Sequence, residues 1–184
     1  NGPGKMGWKL AITGKGRCNV TNDCTRDEFL ENIPRNPRFL YAAYSAFPPA
    51  RVMEHFEYLG VPLKVERGNR VFPESDKASD VTRAFSRGMK DAGVQVELNT
   101  GVKSVLKEEG GFAVALERGG TLHAKTVIVA TGGCSYPVTG STGDGYALAQ
   151  QAGHTVTPTR PSLVALNSPD LFCLDMQGLS LKNC

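Results

Sequence analysis

Thr126–Tyr146 reads TVIVATGGCSYPVTGSTGDGY, and this stretch decides the fold. Thr126 to Ala130 are apolar or β-branched, and glycines close the run. That pattern predicts a short buried strand of a parallel sheet. Thr131, Gly132 and Gly133 then end the strand. Two adjacent glycines let another backbone or a flat ligand come close, since no Cβ stands in the way. In open α/β sheets ligands sit at the carboxyl ends of strands, where this turn would lie. A second glycine cluster, Gly140 to Gly145, opens a predicted helix from Tyr146 to Ala152. Free N–H groups at such an entry suit an anion or a polar ligand edge. A strand–loop–helix connection with no ligand is the plainer reading. Two glycine clusters in one short connection favour a ligand site.

Bulk properties bound the alternatives. The chain has 184 residues, enough for one domain with a real core and the start of a second. Its net charge of +3 is small, and its basic residues form no run. Neither nucleic acid nor a membrane surface is expected as a partner. No apolar stretch approaches a membrane span and no signal peptide opens the chain. Cys18, Cys24, Cys134, Cys173 and Cys184 form no C-x-x-C pair and leave an odd count. That argues against a disulfide framework or a zinc site, so no metal is expected and a reducing cytoplasm fits.

Outward from the central stretch, the local signals are ordinary. Gly2, Gly4 and Gly7 formally satisfy G-x-G-x-x-G, but no strand precedes them, no helix is expected after them, and Pro3 intervenes. Residues 9–22 show no clear period and read as a tightly curled loop. Thr25 to Glu28 form a capping box for a helix that Pro34 stops. Helices are predicted over 39–47 and from Pro49 to Leu59, with Gly60 as the stop. His55 on the latter reads as packing or surface. Leu63–Glu66 and Arg70–Pro73 make a hairpin about Gly68 and Asn69. Ser75 or Asp76 is expected to cap a helix over 77–92, followed by a strand from Val94 to Leu98. Alternation over 102–107, 112–117 and 121–124 predicts a three-stranded antiparallel meander, with His123 facing solvent. Extended segments are expected over 155–159 and 162–166.

VIVATGG followed by TGDGYALAQQAGH resembles FAD-dependent oxidoreductases with two dinucleotide-binding domains, including fumarate reductases and succinate dehydrogenases. The fuller resemblance is to the BaiN/YhiN-type flavoproteins, aminoacetone-oxidase-like FAD-binding enzymes. KLAITGKGRCNVTN (residues 9–22), GNRVFP (68–73) and PSLVAL (161–166) carry it. The resemblance implies an α/β Rossmann-like FAD-binding domain over 1–166, with a helical insertion and a β-meander. Residues 167–184 would be a linker and the start of a substrate domain. The implied activity is hydride transfer between flavin N5 and a small organic substrate, with NAD(P)H as a possible donor. Bile-acid-like steroids are among the substrates linked to the family.

The resemblance also raises particular residues. Gly14, Arg17, Cys18 and Asn19 become candidates for the cofactor shell. From spacing alone Arg17 is a solvated loop arginine and Cys18 a small apolar filler. Thr131, Gly132 and Gly133 are expected to line the flavin with their backbone. Val102 is expected as a backbone contact near the adenine, although by itself it reads as core. Asp144 is the polar contact by analogy with the TGDG loop of fumarate reductases, and a helix cap otherwise. Tyr136 could face the substrate, and no residue stands out as a catalytic acid or base. The family's opening strand and G-x-G-x-x-G turn are not found in these residues, and Trp8 replaces a usual arginine. The sequence therefore reads as an internal piece of a longer protein. Alone it is expected to bind FAD weakly or not at all, expose sheet edges and self-associate, or to serve as a non-catalytic binding module.

Overall fold

The computed structural model describes residues 6–161, 167–176 and 178–179. The chain divides into two units, Asn1–His154 and Thr155–Cys184. Gly2 and Gly4 of the formal glycine pattern lie outside the described residues, as do 162–166, 177 and 180–184.

Unit one is built on two separate three-stranded antiparallel sheets. In the first, β1 (Thr21–Asn22) and β2 (Leu63–Glu66) flank β3 (Arg70–Pro73). The hairpin turn uses Gly68 and Asn69, both with positive φ. That is the backbone such a tight reversal requires. Val71 and Phe72 on β3 are both fully buried, so both faces of this central strand are covered.

Helices pack beside that sheet. The capping box at Thr25 forms as predicted and starts α2 (Arg26–Glu31). α3 (Tyr41–Ala46) follows a 3-10 turn over Pro37–Leu40. Pro49 takes the first turn of α4 (Pro49–Tyr58), where its missing N–H costs nothing. Phe56 of α4 meets Ala78, Val81 and Ala84 of α5 (Ala78–Asp91) in one core with Cys18 and Val61. The Phe56 and Phe85 rings meet edge to face at 5.2 Å, a favourable quadrupole arrangement.

The second sheet is the predicted meander: β4 (Val102–Glu108), β5 (Gly111–Leu116) and β6 (Thr121–Ala124). Its register shifts between Val102 and Ser104, a bulge that bends the start of β4. Val105 and Val114 on one face of the sheet form a core with Leu148 of α6 (Asp144–Gln151). Val127 packs on the same cluster.

Several expectations are corrected. Residues 9–22 are not simply a loop: α1 covers Trp8–Ile12, a 3-10 turn covers Thr13–Gly16, and β1 follows. A helix therefore does follow Gly7. The N-cap of α5 is Lys77, and neither Ser75 nor Asp76 takes that position. Thr126–Ala130 and Val94–Leu98 join no ladder among the described residues, and Leu98 lies in a turn. Their apolar patterns suit strands, yet a strand exists only with a neighbour to take its N–H and C=O groups. Without one, Ile128 is 86% exposed. In unit two, residues 155–161 form no ladder, and a short helix, α7 (Phe172–Asp175), occupies the expected linker.

Candidate functional site

A cleft of about 660 Å³ opens between the start of the meander and the entry of α6. Residues 96–101 form one wall, with Val102 at the bulged start of β4. Thr131, Gly140, Thr142 and Asp144 form the other, with Leu148 at its base. Three residues singled out in the sequence, Val102, Thr131 and Asp144, thus meet in one place although 42 positions separate the first from the last. Asp144 opens α6 and accepts a 2.8 Å hydrogen bond from the Thr142 hydroxyl. Its carboxylate also lies where the helix dipole favours negative charge.

Thr131 carries the most informative atom. Its Oγ1 is buried and has no hydrogen-bond partner among the described residues. A buried hydroxyl left unpaired costs about 1–3 kcal/mol, so this wall is incomplete as it stands. The turn after it stays close to α6 through glycine. Gly132 has φ of 81°, and a Cβ there would sit 3.2 Å from Ser141 Oγ. Gly133 faces the Tyr146 hydroxyl, 3.4 Å from where its Cβ would be. An unpaired hydroxyl, a glycine turn and a polar cleft fit the edge of a flavin dinucleotide. Among the described residues no group of three or more His, Cys, Asp or Glu is placed to hold a metal.

Gly14, Arg17, Cys18 and Asn19 gather elsewhere, at the first sheet. Gly14, Gly16 and Cys18 all have left-handed backbone, which produces the curl. A Cβ on Gly14 would fall 2.9 Å from both the Asn19 nitrogen and Phe72 Cε1. The Arg17 guanidinium lies 3.9 Å from the Phe72 ring centroid. It donates to Glu66 at 2.8 Å and Asp76 at 3.2 Å. Lys64 reaches Asp76 at 2.6 Å. Asn19, with its amide nitrogen turned inward, donates to the carbonyls of Val71 and Thr21. Cys18 is 2% exposed, and burial pushes its thiol up, against a hydrogen bond with Thr13 that pulls it down. A thiol so held is a packing group rather than a nucleophile.

The charge cluster predicts a pH response. The hydrogen bond from Lys64, reinforced by the one from Arg17, holds the Asp76 carboxyl below the usual range. A depressed carboxyl stabilises the fold above its unfolded pKa and loses that contribution as pH falls through the folded value. Stability is therefore expected to decline below about pH 4, and Asp76→Asn should remove part of that dependence. Thermal melts of both proteins from neutral to acid pH check this; identical slopes would refute it.

Two further residues lie near the site: Lys9, which gives no signal in the sequence, and Tyr136, expected there to face the substrate. Lys9 of α1 donates to the Ser135 carbonyl at 2.7 Å and to Ser141 Oγ at 2.8 Å. Tyr136 adopts left-handed backbone with φ of 55° and is 66% exposed.

Comparison with known proteins adds to this geometry. The HI0933-like protein Rossmann domain family matches residues 2–182. A 3-dehydro-bile acid delta(4,6)-reductase of Clostridium scindens is 32% identical over 161 residues, covering 88% of this chain and 38% of the relative. A ribosomal RNA dihydrouridine synthase of Escherichia coli is 31% identical over 160 residues, 87% of this chain and 39% of the relative. Its namesake from Haemophilus influenzae is 28% identical over 183 residues, 96% of this chain and 45% of the relative. The chain thus spans less than half the length of these relatives. The helices, the meander and the glycine-lined cleft are parts of an α/β Rossmann domain, and the chain belongs to the HI0933-like protein Rossmann domain family.

Proposed function

We propose that this chain forms part of an FAD-dependent oxidoreductase that saturates a carbon–carbon double bond conjugated to a carbonyl. The observation that carries the reading is the cleft lined by Val102, Thr131 and Asp144, with the unpaired buried hydroxyl of Thr131 in one of its walls. The relatives' names support the reaction class. A delta(4,6)-reductase of a 3-dehydro steroid and a dihydrouridine synthase both reduce an alkene made electron-poor by a nearby carbonyl. When bound, the flavin supplies reversible hydride chemistry, with NAD(P)H as the donor that reloads it.

The chain's own residues bind and orient. The Thr131 hydroxyl would pair with a polar atom of the cofactor, ending its isolation. The backbone of Val102, Gly132 and Gly133 would line it, since glycines admit close approach. Gly14, Arg17, Cys18 and Asn19 would shape the shell from the first sheet. The substrate is a small molecule in this reading. Net charge of +3 with scattered basic residues supplies little for a phosphate backbone. A uridine in RNA is the second reading, favoured by the names of two relatives.

An absorbance titration with FAD tests the cofactor. Weak, saturable changes in the flavin bands are expected, with NAD(P)H oxidation that depends on an enone. Flavin bands unchanged by the chain at high FAD would sink the reading for these residues. Oxidation with a uridine-containing RNA but with no small enone would favour the second reading.

A further inference from the structure

We infer that Lys9 is a positioning residue that holds the Ser135–Ser141 turn against α1 and so fixes the wall of the cofactor cleft. The inference deepens the oxidoreductase reading and rests on it only for its catalytic consequence. The geometry stands by itself. The Lys9 ammonium donates to the Ser135 carbonyl at 2.7 Å and to Ser141 Oγ at 2.8 Å, so one cation grips both ends of the turn. The grip spans 126 and 132 residues of sequence. Bonds within the turn are local by contrast. The Thr139 hydroxyl and N–H donate to the Tyr136 carbonyl, and the Gly140 N–H donates to Pro137. Local bonds shape a turn but do not place it relative to the rest of a fold.

The turn needs placing. Tyr136 holds left-handed backbone without being glycine, a strained state that persists only when its surroundings impose it. Thr139 and Ser141 are buried, so the turn is seated and not simply exposed. Ser141 Oγ, which Lys9 grips, also stands against Gly132. Lys9 therefore sets the gap between the Thr131–Gly133 turn and the Gly140–Asp144 entry of α6, which together form one wall of the cleft. A lysine suits this role, because its rotatable donors can serve two acceptors of different kind.

Hydrogen exchange on the full chain tests the inference. Lys9→Met keeps most of the side chain's apolar stem and removes its donors. It is expected to speed exchange at the Thr139 and Gly140 amides roughly tenfold, with the β4–β5 ladder unchanged. Lys9→Arg, which still reaches a carbonyl, should restore most of the protection. Ser141→Ala should give a smaller acceleration confined to the same amides, and serves if Lys9→Met folds poorly. Unchanged exchange at Thr139 and Gly140 in both variants would overturn the inference, as would acceleration spread evenly over the chain. The readout does not require flavin. If the chain retains no FAD while exchange rises only in the turn, the oxidoreductase reading fails and the role of Lys9 stands.

Discussion

Phe72→Ala is expected to cost about 3–5 kcal/mol of stability, the range for removing a buried aromatic ring. Phe72 is 1% exposed on the central strand of the first sheet. Its ring touches the space a Cβ on Gly14 would fill, and Arg17 covers it. Deleting the ring opens a cavity and also removes the surface on which the 14–19 curl rests. The cation–π contact adds about 0.5–1 kcal/mol at a partly exposed site, so packing dominates. Against the roughly 5–15 kcal/mol that holds a typical domain, this loss is large. Phe72→Leu keeps most of the volume and should cost about half as much or less. Urea unfolding of both variants measures it; a loss below about 1 kcal/mol for alanine would show that the sheet does not depend on this ring.

Gly145→Ala is the second large effect, and it falls on the proposed cofactor site. Gly145 lies in the first turn of α6, where alanine would ordinarily add up to about 1 kcal/mol of helix propensity. Here the new Cβ would sit 2.6 Å from Thr131 Oγ1 and 3.3 Å from Val129 Cγ1. Such overpacking costs about 1–3 kcal/mol, so the clash wins and stability falls. Leu148 anchors the helix to Val105 and Val114 one turn later, so relief must come from Thr131. Turning that hydroxyl removes the contact proposed for the cofactor. FAD affinity is expected to drop about tenfold, near the 1.4 kcal/mol of one hydrogen bond. A fluorescence titration with FAD checks this. A variant that is more stable and binds equally well would show that Thr131 faces no ligand.

What the sequence reveals follows from how local each signal is. The Thr25 capping box, Pro49 at a helix start and Gly60 and Gly93 after helix ends are all readable, because each acts within one turn of chain. The meander is readable because alternation and glycine turns specify antiparallel neighbours close in sequence. Trp8–Ile12 is too short to show a period, and two-residue β1 exists only through its pairing with Val71 and Arg70. Thr126–Ala130 shows the opposite case. Its composition announces a strand, but composition cannot supply the partner. At the site, resemblance singled out Val102, Thr131 and Asp144, and the fold brings them to one cleft. Gly14, Arg17, Cys18 and Asn19 cluster on the first sheet instead, held by contacts to Phe72, Glu66 and Val71. Lys9 stayed hidden because a lysine 126 residues from its acceptor leaves no local trace.

Cys18 has one more consequence. Cys134 and Cys173 are exposed, whereas Cys18 is enclosed by Phe56, Val81 and Ala84. A thiol reagent meets the first two at once and reaches the third only when this core opens. The rate of that last modification is thus a clock for breathing of the α4–α5 core. The chain carries it without any added label.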